Sequence, residues 1–133
     1  MEKNQYRVLI VEDNLVAALH LETLLTRNGY EVVGKLQYGE QLKDKVAAEE
    51  PDVILLDHLL KGTMTGAEAA LDLREDSRMN PIVFITAMSD KKTVQAMSSI
   101  ERSVIIHKPF HNEVLLRTIK DHIDAYLIGN KAS

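Results

Sequence analysis

Val53-Ile54-Leu55-Leu56-Asp57 decides the fold. A short, unbroken apolar run of this kind has the length of a buried strand and is too short for a helix. Pro51-Asp52 punctuates the chain before it, and a loop rich in Gly and Thr, Lys61–Gly66, follows it. A strand apolar on both sides is covered on both faces, as strands of parallel sheets are. Similar runs recur within Arg7–Val11, Ile82–Thr86 (opened by Pro81) and Val104–His107, and the more polar Glu31–Leu36 reads as a second strand.

Between these runs the period becomes helical. Leu15, Ala18, Leu19, Leu21, Leu24 and Leu25 recur with helical spacing after Asn14, a good cap, and Asn28-Gly29 stops the segment. Gly39 opens a more polar helix to about Glu49, with Leu42, Val46 and Ala47 on one face. Ala67–Arg74, Asp90–Ile100 and Asn112–Ile128 complete the set, the last burying Leu115, Ile119, Ile123 and Leu127. Five strands alternating with five helices predict a doubly wound α/β fold with a five-stranded parallel sheet.

The 133 residues suit one domain, with a core over about 5–128, no second domain, and a frayed end at Gly129–Ser133. The hydrophobic fraction of 45% and charged fraction of 27% are those of an ordinary globular protein. A net charge of -4 argues against a general nucleic-acid surface. The absence of cysteine excludes disulfides, thiolate catalysis and thiolate metal sites. With no leader pattern and no membrane-length apolar run, a cytoplasmic location is expected.

Polar residues follow the apolar runs at four places: Glu12-Asp13, Asp57, Thr86 and Lys108-Pro109. Taken singly, each is an ordinary cap or turn. In an open parallel sheet, however, ligands bind beyond the carboxyl ends of the strands. Three carboxylates, a hydroxyl and an ammonium would then share one crevice. Crowded carboxylates raise one another's pKa, and a divalent cation relieves the repulsion. Hard oxygen donors without histidine or cysteine favour Mg2+. Asp13 and Asp57 are assigned as direct ligands, Glu12 as a ligand through water, and the Leu59 backbone carbonyl as a further oxygen. Asp57 is also the candidate nucleophile, since a carboxylate attacking phosphorus yields an acyl phosphate. Lys108, the Thr86 hydroxyl and the Ala87 amide would take the equatorial oxygens of the transferring group.

This set resembles the receiver domain of bacterial response regulators, the CheY-like modules of two-component phosphorelay signalling. The likeness runs from Val8-Leu9-Ile10-Val11-Glu12-Asp13-Asn14 through Leu55-Leu56-Asp57 and Ile85-Thr86-Ala87 to Lys108-Pro109-Phe110. It implies a flavodoxin-like fold with strand order 2-1-3-4-5 and a phosphoacceptor at Asp57. It implies a histidine kinase or histidine phosphotransfer protein as donor, and a downstream protein or output domain as reader. Such a domain catalyses only its own phosphorylation and dephosphorylation. The resemblance also implies a cis Lys108-Pro109 peptide that aims the ammonium into the crevice.

Three departures stand out. Receivers commonly carry an aromatic residue three places before the lysine, where this chain has Ile105, a β-branched residue suited to an edge strand. The switch is therefore expected in the loop after Thr86 and the helix beginning near Asp90. Gly66 lies nine places after Asp57 rather than eight, and Gly62 replaces the usual proline region, which is expected to widen the crevice mouth. Both glycines are read as positions of positive φ. Leu59 and Met88 are apolar where the family often has groups that orient hydrolytic water, so slow self-dephosphorylation is expected.

Pro109 between His107 and His111 argues against a helical metal pair. His58 reads as a loop residue pointing away from the site, and His20 and His122 as surface or boundary residues. The partner surface is expected on Asp90–Ile100, Ser103–His107 and the last helix, made basic by Lys91, Lys92 and Arg102, with homodimerisation through it left open. Alternatives are a haloacid-dehalogenase-type phosphatase, which needs an acid where Leu59 stands; a flavin or nucleotide carrier, which lacks a glycine-rich cradle here; and a receiver-like module that is never phosphorylated.

Overall fold

A computed structural model describes residues 5–128, so the expected fraying of Gly129–Ser133 lies outside the described residues. Five strands form: β1 (Arg7–Val11), β2 (Glu31–Leu36), β3 (Val53–Leu56), β4 (Ile82–Thr86) and β5 (Ser103–His107). The helices between and after them are α1 (Leu15–Arg27), α2 (Leu42–Glu49), α3 (Gly66–Glu75), α4 (Lys91–Ser98) and α5 (Asn112–Ile123). A 3-10 turn at Gly39–Gln41 leads into α2, and a π turn at Asp124–Ile128 extends α5. All neighbouring strands are parallel, in the order β2-β1-β3-β4-β5. This is the flavodoxin-like arrangement, and strand order reverses between β1 and β3.

Strand alternation sorts the core into two layers. Leu9, Ile54, Leu56 and Phe84 pack with Leu42, Val46, Leu73 and Met97 of α2, α3 and α4. Val8, Ile10, Leu55 and Val83 pack with Leu21, Leu25, Leu115 and Ile119 of α1 and α5. Every residue of β3 and β4 is buried, as their uninterrupted apolar runs require. Helix starts are set by local chemistry. Asn14 Oδ1 accepts the Ala17 amide, Thr65 and Glu68 form a reciprocal capping box, and Asp90 Oδ2 accepts the Thr93 amide.

On α1 the buried stripe is narrower than the sequence pattern implies. Ala18, Leu21 and Leu25 are buried, but Leu15 is 69% and Leu19 56% exposed, with Val16 beside them at 79%. Leu19 is one residue, about 100°, past Ala18 on the helix, beyond the edge of the stripe.

His122 is buried rather than at the surface. It lies on the inner side of α5, one residue before Ile123, and its Nε2 bonds the Arg102 carbonyl at 2.9 Å. Its ring meets Tyr126 edge-on, with centroids 4.9 Å apart. Burial pushes the imidazole below its ordinary pKa of 6.5, and the Arg74 guanidinium adds to this against the Arg102 and Ile82 backbone. The folded protein thus prefers neutral His122. That stabilisation is complete above 6.5 and declines as the pH falls below it. His122→Phe keeps a ring here, loses about 1 kcal/mol at neutral pH with the hydrogen bond, and flattens the acid limb of the stability curve. Urea unfolding at stepped pH measures this, and an unaltered acid slope refutes it.

Candidate functional site

β1, β3, β4 and β5 end together at the carboxyl edge of the sheet, and each delivers one of the four polar stations there. Ladder-type backbone bonds fix two of them. The Glu12 amide donates to Leu36 O at 2.9 Å, and the Asp57 amide to Val11 O at 3.0 Å. Across β4 and β5, the Lys108 amide donates to Thr86 O at 2.8 Å. The Lys108-Pro109 peptide is cis.

The side chains then converge. Lys108 Nζ lies 2.6 Å from Glu12 Oε1 and 2.9 Å from Asp57 Oδ2. Asp57 Oδ1 accepts the His58 amide at 2.7 Å, which orients the carboxylate. Glu12 Oε2 accepts the Asn14 amide at 3.1 Å. Glu12, Asp13 and Asp57 each place a carboxylate oxygen within 4.8 Å of the others. Glu12 and Asp57 are buried and Asp13 is half-buried. Burial, with Asp13 and Asp57 beside it, holds the Glu12 carboxyl above the usual range, although Lys108 and the Asn14 amide pull it back. Burial acts to lower the Lys108 pKa, but contact with Glu12 and Asp57 outweighs it and holds the ammonium above its usual range.

Thr86 is fully buried, and its Oγ1 accepts the Met88 amide at 3.1 Å. Ala87 is exposed next to it. Leu59, two residues past Asp57, points 53% exposed from the loop between β3 and α3. Ile105 lies on the edge strand β5, half-buried against the layer that holds Phe84 and Met97.

Other expectations need correction. His58 does lie in the loop after β3 but is buried there, and its Nδ1 has no hydrogen-bond partner among the described residues. It is enclosed because the loop folds back so that the Gly66 amide bonds His58 O at 2.7 Å. Gly62 has a φ of +83°, but Gly66 is helical and needs to be glycine for a different reason, close approach to the Asp57 backbone. The basic face also divides. Lys91 and Lys92 start α4, whereas Arg102 sits before β5 at the opposite pole with a φ of +55° and its guanidinium 5.3 Å from the Tyr126 ring centre. His20 bonds Asn112 Oδ1 at 3.3 Å, His107 ends β5, and His111 is the residue capping α5.

The response regulator receiver domain model matches residues 8–120. The chain belongs to the receiver domain family of response regulators. This receiver is 29% identical over 114 residues to the transcriptional regulatory protein PdtaR of Mycobacterium tuberculosis, covering 86% of the chain and 55% of PdtaR. The chain thus spans about half the length of that relative. It is 26% identical to the chemotaxis protein CheY of Bacillus subtilis, covering 86% of the chain and 94% of CheY. Among solved structures, the receiver domain of a modulated diguanylate cyclase from Desulfovibrio desulfuricans G20 superposes with a TM-score of 0.82 at 33% identity, covering 91% of this chain and 95% of that one. Receivers act with histidine kinases and output domains in two-component signalling. The acidic cluster of this receiver has the donor set of a hard divalent cation: carboxylate oxygens only, crowded enough to repel. Among the described residues no helix is long and apolar enough to cross a membrane.

Proposed function

We propose that Asp57 accepts a phosphoryl group from a histidine kinase or histidine phosphotransfer protein, and that the resulting acyl phosphate switches a protein-binding surface. The observation that carries this is the Lys108 ammonium, held within 2.9 Å of Asp57 Oδ2 at the shared end of four strands. Asp57 Oδ2 attacks phosphorus as the donor's P–N bond breaks, and the proton the leaving imidazole needs comes from solvent or the donor protein. Lys108 moves from pairing with a bare carboxylate to pairing with a phosphoryl oxygen. The Thr86 hydroxyl and the Ala87 amide serve another oxygen. Asp13 and Asp57, Glu12 through water, and the Leu59 carbonyl would hold Mg2+. When bound, the ion neutralises the carboxylates and offsets charge on the transferring group. Cytoplasmic placement, a single receiver unit over the chain, and a downstream protein or output domain as reader belong to the same proposal.

Ile105 has no polar tip with which to sense Thr86. The bond from the Met88 amide to Thr86 Oγ1 supplies another route. As the hydroxyl turns toward a phosphoryl oxygen, the Met88 amide and the start of α4 follow. The reading surface is α4, β5 and α5, which would also be the face of any homodimer.

The test is Mg2+-dependent labelling by acetyl phosphate, read by intact mass. Wild type gains one phosphoryl group and Asp57→Asn gains none. Labelling of Asp57→Asn to the wild-type extent overturns the assignment. The acyl phosphate is also expected to be long-lived, because Leu59 and Met88 offer attacking water no hydrogen bond. Met88→Glu or Leu59→Asn should shorten its half-life by about tenfold, a modest share of what a positioned polar group can supply. Decay of the label after donor removal measures this, and equal half-lives in all three proteins contradict it.

A further inference from the structure

We infer that Gln37 is a positioning residue for Asp13, bracing the two loops that carry the proposed Mg2+ ligands; this rests on the reading of Asp57 and its acidic neighbours given above. Of the three carboxylates, Glu12 and Asp57 are placed by backbone bonds that continue the sheet, from Glu12 N to Leu36 O and from Asp57 N to Val11 O. Asp13 is one residue beyond the last of these on its strand. Its backbone is met from the side: Gln37 Nε2 donates to Asp13 O at 3.2 Å.

Gln37 directly follows β2 and reaches the second loop as well. The Lys61 amide donates to Gln37 O at 3.0 Å, and Lys61 Nζ is 3.5 Å from Gln37 Oε1. Beside this contact, Tyr38 and Lys61 form an isolated parallel bridge. The longer loop after Asp57 is thus stitched to the end of β2, where the sequence pattern suggested a wider mouth. Gly62 makes the stitch feasible. Its φ is +83°, and a Cβ there would come within 2.5 Å of Glu40 Oε2 and 3.0 Å of the Tyr38 ring. Gln37 therefore links the two loops, through its side-chain amide to the Asp13 loop and chiefly through its backbone carbonyl to the loop that holds Leu59.

A residue that orients a metal ligand from behind typically contributes 10–100-fold in affinity. Gln37→Met keeps the length and removes the amide. Gln37→Asn keeps the amide and shortens its reach. Both should weaken Mg2+ binding about tenfold by calorimetry, with the urea midpoint in EDTA unchanged. Labelling by acetyl phosphate should need proportionately more Mg2+ yet reach the wild-type rate at saturation. Lys61→Met, which leaves the bond to Asp13 intact, should stay within about twofold of wild type, below the effect of a ligand-orienting residue. Affinities of both Gln37 variants equal to wild type overturn the inference and leave the Asp57 reading intact. A wild-type protein that neither binds Mg2+ nor takes label overturns both.

Discussion

Lys108→Met is expected to slow labelling of Asp57 by roughly two to three orders of magnitude, the usual loss when a preorganised donor to a reacting oxygen is removed. The same substitution acts on the resting protein. Lys108 pairs with Glu12 at 2.6 Å and Asp57 at 2.9 Å, and both carboxylates are almost wholly enclosed. The Glu12 carboxyl already lies above the usual range, chiefly through burial. A carboxyl raised in this way stabilises the fold below its unfolded pKa, and that contribution is lost as the pH rises through the folded value. At neutral pH the cluster is therefore a liability, and Lys108 is what offsets it. Breaking a fully buried pair costs roughly 3–5 kcal/mol. Lys108 is 29% exposed, so solvent softens the loss to about 1–3 kcal/mol. Mg2+ bound as proposed would neutralise the same oxygens, so saturating Mg2+ should narrow the stability gap between variant and wild type without restoring the labelling rate. Urea unfolding with and without EDTA, beside labelling by acetyl phosphate, separates the two effects. A Lys108→Met protein labelled at the wild-type rate would remove the ammonium from the chemistry.

The convergence of Glu12, Asp57 and Lys108 was legible because a parallel sheet converts sequence order into position. Each apolar run ends at the same edge, so the polar residue after it must arrive there. Strand existence followed from the same simplicity, since Val53–Leu56 and Ile82–Ile85 have no polar residue that could face solvent, whereas strand order came from the likeness to receivers. What lay hidden depends on how elements pack. Leu15 and Leu19 fit a helical repeat, yet face outward, because β1 and β3 cover only the stripe through Ala18, Leu21 and Leu25. His122 reads as a polar helix residue until Arg102, in its left-handed turn, brings a carbonyl to its ring. His58 is enclosed by a loop return that no local period encodes. Gln37 carries no motif at all; only the pairing of Tyr38 with Lys61 reveals why a long amide stands there.

Gly66→Ala should be the most damaging small substitution near the site, although local propensity predicts the reverse. Gly66 is the first residue of α3, and in helix interiors alanine is favoured over glycine by roughly 0.5–1 kcal/mol, a preference that would act in the same direction here. The surroundings forbid it. A Cβ on Gly66 would stand 2.0 Å from Asp57 O, 2.8 Å from the Asp57 carbonyl carbon and 2.9 Å from His58 Cα. All three neighbours are backbone, so no rotamer change makes room. The end of β3 and the start of α3 must move apart, straining the 2.7 Å bond from the Gly66 amide to His58 O. Overpacking costs about 1–3 kcal/mol where side chains can adjust, and occasionally more; against rigid backbone a loss near the top of that range, about 3 kcal/mol, is expected. The displaced segment carries Asp57 itself. A shift of about 1 Å in a reacting group can cost on the order of 100-fold in rate, so labelling should fall at least tenfold even under conditions where the variant is folded. Gly62→Ala is the matched control. It strains a positive φ in the exposed loop, with Glu40 and Tyr38 side chains able to yield, and its cost should stay near 1 kcal/mol. Urea midpoints and labelling rates of the two variants, side by side, separate backbone contact from loop strain. If Gly66→Ala proved as stable as wild type and was labelled as fast, the close approach to Asp57 could not be what demands glycine there.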